Sequence, residues 1–474
     1  MANSIIEQKP LYPQMPVGQE VIFVVSNADA VANQTKVKFC VDVHISGNTP
    51  PNPNVVADKV ATFKATPNNA GVGIFDMRNV IENYVKADNM AADGSTYKGT
   101  TTSDNDRHPL HLVDKFSLNN NTVKYMALEF YVEYLGATDQ AGNQDNNVVR
   151  QAAGTEVLSE IFTIFNGYLK YDDVLTLGSG VTAADFGYSL NSFNLSSTSS
   201  KFLTNAPFSQ YANLEDYGTV SFLAPNDNLE EIRFTYKSSA GASIGTDTVT
   251  KANTTGAYLV WSEVATRQLL HFGCFPGNLQ NWSTTFQGLV AAETINGGSI
   301  EISAYDSGGN RISKAYTINI NCPNLKGYES IRLCWLNQWG VWDYYTFTKK
   351  SVKSISTSGT TYNQLGGTWN ESRYRLDSYK GGKKSFRVNA TERILMNTDF
   401  VTEDDNVMLE ELINSPEVYL LDGYQTESFS ALNQYVTPVR LTTSSFTKKT
   451  IGNDKLLQYT FEIEKSKTLR TQSV

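Results

Sequence analysis

A chain of 474 residues exceeds one ordinary domain of roughly 100 to 200 residues and reads as about two to four units, each able to bury a core without staples. Charged residues make up only 18% and aromatics 11%, with much of the remaining polarity carried by Asn, Ser and Thr, a balance that favours strands and turns over long solvated helices. The net charge of -9 opposes a phosphate backbone and argues against specific nucleic acid binding, with one local exception in the basic run from Lys448 to Arg470.

The opening segment, "MANSIIEQKPLYPQMPVGQE", has three prolines and little periodicity, so residues 1–20 read as an extended N-terminal arm outside any core. It lacks the basic start and apolar run of a signal peptide. No stretch approaches the roughly 18 apolar residues that span a bilayer, so the expectation is a chain made and kept soluble, without a membrane partner.

From "EVIFVVS" onward the pattern becomes strand, polar turn, strand, as in "TKVKFCVDVHIS", "KVATFKAT", "VKYMALEFYVEYLG" and "SEIFTIFNGYL". Residues 21–165 are therefore expected to form a β-sandwich module. One helix is expected in it near 76–86, where Asp76 suits the N-cap and Met77, Val80, Ile81, Tyr84 and Val85 form an apolar stripe.

A second β-sandwich module is expected over 166–325, from "GTVSFLA", "EEIRFTYKSS", "GAYLVWSEV", "LLHFGCF", "SIEISAYDS" and "RISKAYTINI". Within it, "AYDSGGNRISKAY" predicts a hairpin with Gly308, Gly309 and Asn310 supplying positive φ. Residues 326–474 predict a third β-rich module with a helix near 403–414, capped by Thr402 and stopped before Pro416. Val407, Leu409, Leu412 and Ile413 cannot share one face, so that helix is expected to be buried on more than one side. The fold class is thus mainly β: serial antiparallel β-sandwich-like modules with two or more short helices.

Residues with catalytic chemistry are sparse. His108 and His111, near Asp104, Asp106 and Asp114, lack the further ligands and outer shell a zinc site needs, and read as a solvated loop. His44 and His271 sit alone in strands and read as core or boundary histidines with one satisfied hydrogen bond rather than general bases. Asp343, Glu410 and Glu411 give no pair of carboxylates aimed at one substrate, since consecutive helical positions point apart. Cys40, Cys274, Cys322 and Cys334 show no CxxC pairing and read as reduced thiols, with a Cys322 to Cys334 disulfide left open on separation alone. The expectation is no enzyme, no cofactor and no metal.

The densest aromatic stretch is "IRLCWLNQWGVWDYYTFTKK", from Ile331 to Lys350. It predicts a β-hairpin turning at "NQWG", with Gly340 free to take a left-handed conformation. Strand alternation puts apolar side chains on both faces, so one face belongs to the core and the other to a second layer or a neighbour. Trp335, Trp339, Trp342 and Tyr344 are the candidate protein interface, and Trp339 in the turn is the strongest single candidate.

These residues also resemble a family. Virion structural proteins of tailed bacteriophages infecting Bacteroidetes, the crAss-like group included, carry similar features. They are an "FD" helix start as in "GVGIFDMRNVIENYV", an "FLTN.P" turn as in "FLTNAP", an aromatic hairpin as in Leu336 to Lys350, and a late "SPEVYLLDG" followed by a hairpin at 446 to 462. The resemblance runs in order along most of the chain. It implies a non-enzymatic part of the tail, neck or baseplate in the virion, synthesised in the bacterial host cytoplasm. Partners would be copies of itself and other tail, neck or portal-side virion proteins in a ring. The alternatives are a carbohydrate-binding or host-adhesion module stacking sugars on Trp335, Trp339, Trp342 and Tyr344, and a polysaccharide-degrading tail enzyme.

Overall fold

Alternation of Val, Phe, Tyr and Thr with polar residues dictates strands, and the computed structural model is mainly β, with five short α-helices among the described residues. The structure describes residues 3–10, 14–47, 51, 58–86, 116–119, 123–136, 147–170, 191–193, 195–223, 229–250, 269–321, 328–370, 372–421, 436–448, 457–467 and 469–473. The chain divides into two compact units: unit 1 is Met1–Asn321 with Leu336–Trp342, and unit 2 is Cys322–Trp335 with Asp343–Val474.

In unit 1 a sandwich is built from two sheets. One runs Ile5–Gln8, Ile22–Ser26, Val72–Asp76; the other runs Gln14–Pro16, Phe162–Phe165, Val123–Leu135, Thr35–Ser46, Lys59–Ala65, with Val148–Arg150 and Val157–Leu158 also pairing to Val123–Leu135. Phe23 and Phe75 of the first sheet meet Phe130 of the second at ring distances of 5.6 and 5.9 Å, and Phe23 meets Phe162 at 5.5 Å. These rings centre an apolar core that also takes in Val25, Phe39, Val41, Leu128 and Ile164.

The opening segment corrects the expectation of a free arm. Ile5–Gln8 pairs antiparallel with Ile22–Ser26, Gln14–Pro16 pairs parallel with Phe162–Phe165, and Met15 and Val17 are buried in the core. Proline tolerates this place because Gln14–Pro16 is an edge strand, where a missing N–H breaks no ladder.

The helix expected near 76–86 is shorter, Arg78–Ile81, and it follows one the sequence reading does not anticipate, Ala28–Asn33. Asp76 Oδ1 accepts from Arg78 N at 3.0 Å and from Val21 N at 3.1 Å, so the carboxylate ties the helix start to the sandwich. Met77, Ile81 and Val85 are buried, whereas Tyr84 of the expected stripe is exposed.

The stretches expected as first and second modules fall in one unit, and a strand pairing gives the reason. Phe116–Asn119 lies antiparallel to Leu269–Gly273, which also pairs with Thr219–Leu223. A five-stranded sheet, ordered Ser209–Ala212, Tyr316–Ile320, Ser299–Tyr305, Glu231–Lys237, Ser243–Thr250, carries helices Pro276–Trp282 and Thr284–Ala291 against it. Phe234 meets Trp282 at 5.6 Å and Tyr236 meets Phe286 at 5.1 Å. In the Ser299–Ile320 hairpin only Gly309 has positive φ, at 75°, while Gly308 and Asn310 do not.

Unit 2 is organised by an eight-stranded sheet ordered Trp342–Phe347, Ile331–Leu336, Val418–Leu421, Val436–Leu441, Thr460–Lys465, Gly382–Asn397, Val352–Gln364, with Arg470–Ser473 also paired to Gly382–Asn397. Leu457, Tyr459, Phe461 and Ile463 alternate into the core as their period of two requires. Helix Asp405–Asn414 has Asp404 rather than the expected Thr402 at its N-cap, with no side-chain cap bond, while Asp405 Oδ2 accepts from both the backbone N and the hydroxyl of Thr402. It buries Asn406, Met408, Leu409, Glu411 and Leu412, which spread over more than half of the helix circumference, and leaves Val407 exposed, so the helix is buried on more than one side.

Candidate protein interface

The aromatic stretch forms the expected hairpin. Asn337 N donates to Val341 O at 2.8 Å, Gly340 N donates to Asn337 O at 3.0 Å, and Gly340 has φ of 75°. Its aromatic side chains, however, are not a surface. Trp335, Trp339, Trp342 and Tyr344 are all 5% exposed or less, so none of the four presents itself to a partner, and the expected interface is corrected to core.

Trp339 shows why. The turn residues Leu336–Trp342 count with unit 1, where Trp339 joins a cluster of Val123, Phe165, Leu169, Phe193, Leu203, Leu269 and Val341, its ring 4.3 Å from Phe193. Asn337 fixes the turn: Oδ1 accepts from Trp339 N at 3.0 Å, and Nδ2 donates to Leu203 O at 3.1 Å. In unit 2, Arg332 lies over the Tyr344 ring at 5.2 Å and donates from Nη1 to Thr346 Oγ1 at 2.7 Å.

The other singled-out residues are scattered. His271 is buried with Nδ1 2.6 Å from Ser221 Oγ, and burial pushes its pKa down to about 3, so the ring is neutral. Its Nε2 has no hydrogen-bond partner among the described residues. His44 is also buried and held below its ordinary pKa by burial, but neither ring nitrogen has a hydrogen-bond partner among the described residues, against the expectation of one hydrogen bond. Glu410 pairs with Lys448 at 2.7 Å while Glu411 is buried, so the two carboxylates do diverge. Lys465 pairs with Glu392 at 3.0 Å, so acids offset part of the C-terminal basic run. His108, His111, Asp104, Asp106, Asp114 and Cys322, with the strand expected at "GAYLVWSEV", lie outside the described residues.

The exposed surface lies elsewhere in unit 2. Val352–Gln364 and Gly382–Asn397 pair antiparallel from Val352↔Leu395 to Gln364↔Gly382, forming a hairpin arm whose first strand spans about 40 Å. Between them, Gly367–Asn370 pairs with Arg373–Leu376, placing Trp369 directly opposite Tyr374. Hydrogen bonds from Asp377 N to Gly366 O (2.9 Å) and Lys384 Nζ to Tyr379 O (3.0 Å) hold this end together. Glycines set its bends, with φ of 92° at Gly381 and 74° at Gly382.

Every residue from Val352 to Thr361 is exposed, on both faces of the strand. A strand on a packed sheet alternates buried and exposed positions; this one buries neither set. Its outer edge has no partner strand among the described residues; Lys353 lies on it, no proline does, and the ladder shifts register between Thr360 and Thr361. Ile355 (64%), Trp369 (69%) and Leu376 (80%) stand in solvent, as do Leu365, Tyr374, Tyr379 and Phe386.

The arm is also basic. Between Val352 and Asn397 the sequence holds eight Lys and Arg against three Asp and Glu, a net of +5 within a chain of -9. Sequence reasoning passed over this segment because Ser, Thr and Gly dilute its alternation. The legible signals were the two Gly-Gly steps at 366–367 and 381–382 and the lysines at 380, 383 and 384.

No family model and no curated protein matches the chain. Among solved structures, the native conformation of E. coli alpha-2-macroglobulin aligns with 100% of this chain and 34% of that one, at 6% identity and a TM-score of 0.15. The chain thus spans about a third of that protein's length, and a likeness at this score carries no argument about fold or function.

Proposed function

We propose that this chain is a non-enzymatic structural protein of a bacteriophage virion, a component of a ring in the tail or neck assembled from copies of itself and neighbouring virion proteins. The observation that carries the assembly part is the hairpin arm, whose ten consecutive exposed residues and open edge leave apolar side chains and backbone polar groups for another chain to cover. Closed symmetry repeats one such contact around an axis, so a modest free energy per contact holds a stable ring. The phage part rests on the ordered sequence resemblance alone.

Composition of purified phage particles, followed by the symmetry of this chain within them, tests the reading. A monodisperse monomer missing from particles would overturn it. Carbohydrate binding stays as a second reading because Trp369 and Tyr374 stand opposed and exposed, a geometry on which a sugar ring can stack. Glycan-array binding lost in Trp369→Ala with the fold intact would favour that reading.

A further inference from the structure

We infer that the hairpin arm of one copy docks against the acidic unit 1 of a second copy, so that copies join head to tail. The inference rests on the assembly reading above and adds which surfaces meet and in what symmetry.

Charge selects the two surfaces. The residues of unit 1 carry 31 Asp and Glu against 20 Lys and Arg, a net of -11, whereas the arm carries +5. Oppositely charged surfaces steer encounter and fix register, and like surfaces repel. Arm against arm would oppose +5 to +5, and unit 1 against unit 1 would oppose -11 to -11. A two-fold dimer through either surface alone is therefore disfavoured, and the favourable pairing uses two different patches. Where the partner's arm does not reciprocate, such a contact is heterologous and closes into a ring or extends into a filament, whereas reciprocal docking stops at a dimer.

The chemistry of the arm favours protein over nucleic acid as the occupant. Phosphate would satisfy the lysines and arginines, but Ile355, Leu365 and Leu376 are aliphatic, exposed and useless to a phosphodiester chain. The edge of Val352–Gln364, which has no partner strand among the described residues, further offers backbone donors and acceptors to a polypeptide. The net charge of -11 on unit 1 would in turn repel a polyanion brought near it.

The test uses the full chain, with assembly read by native mass spectrometry and light scattering at low and high salt. Arg373, Arg375 and Lys383 form no ion pair among the described residues, so Arg373→Glu, Arg375→Glu and Lys383→Glu together change the arm from +5 to -1 without breaking an ion pair seen there. Circular dichroism checks that the fold is kept. The expected result is oligomers of the wild-type chain that weaken at least tenfold at high salt, and about a hundredfold weaker association of the triple variant. Because the variant keeps its acidic unit 1, mixing it with wild type should cap and shorten the wild-type assemblies.

If the triple variant assembles like wild type and at the same salt, the arm contact is wrong while the assembly reading stands. A wild-type chain that stays monomeric at every salt concentration removes the assembly reading itself. Arm-dependent binding of a DNA oligonucleotide, stronger than self-association, would reassign the arm to nucleic acid and overturn the inference.

Discussion

Replacing Trp339 by alanine tests whether the aromatic hairpin tip is core rather than contact surface. The side chain is 3% exposed and packed in the cluster around Phe193, so truncation forfeits about 200 Å² of buried apolar area, worth about 5 kcal/mol at 25 cal/mol per Å². The indole Nε1 has no hydrogen-bond partner, so its removal returns about 1 kcal/mol of desolvation. The net expected loss is about 3 to 4 kcal/mol, within the usual range for a buried Trp→Ala change. Trp339→Phe keeps a ring and drops the unsatisfied N–H, and should cost about 1 kcal/mol or less. Trp369→Ala, at a residue 69% exposed, should change stability by less than about 0.5 kcal/mol while weakening self-association. Urea denaturation followed by circular dichroism gives the stabilities, and light scattering gives the association. A Trp339→Ala loss under 1 kcal/mol, or equal losses for the alanine and phenylalanine variants, would refute the assignment of Trp339 to the core.

Three further outcomes are expected. Gly340→Ala should cost about 3 kcal/mol or more in the same denaturation assay, because φ is 75° and the added Cβ would lie 2.1 Å from Asn166 O, a backbone atom that has to move. Acidification should destabilise the fold: His271 titrates near 3 when folded and near 6.5 when unfolded, so the unfolded chain takes up the proton first. Stability is complete above about pH 6.5 and falls below it, by about 3 kcal/mol at about pH 4.5 from this residue alone, with His44 adding the same sign; thermal melts between those pH values, flattened in His271→Leu, check it. The Cys40 thiol, pushed up to about 12 by burial with Glu133 beside it, and the Cys334 thiol, pushed up further by burial, should resist a thiol-specific disulfide reagent at pH 8 until denaturant is added.

The strand signals in the sequence transferred well wherever one face was core and the other was solvent. Leu457, Tyr459, Phe461 and Ile463 read as one buried row and are one. The pattern misled where both faces were treated alike. The hairpin around Trp335 is apolar on both faces, a pattern that suits a second layer and a neighbour equally, and strand pairing gives no reason to bury Trp339 in its turn. Its reason is a set of long-range partners, Val123, Phe193 and Leu269, that no local pattern reveals. The arm failed in the opposite sense: with Ser and Thr on both faces, Val352–Gln364 has a strand's backbone preference but no hydrophobic period to announce it.

The path of the chain between its units bears on how the protein comes to be folded. Running from residue 1 to 474, it passes from unit 1 to unit 2, back for Leu336–Trp342, and out again, three crossings in all. During synthesis at roughly 10 residues per second, the first 321 residues emerge about half a minute in, still lacking Trp339 and Val341. The cluster around Phe193 stays incomplete until the hairpin tip leaves the ribosome, so unit 1 closes only once the first strands of unit 2 exist. A fragment ending at Asn321 would carry an unfilled hole where Trp339 belongs, and no single cut in the chain yields both units whole.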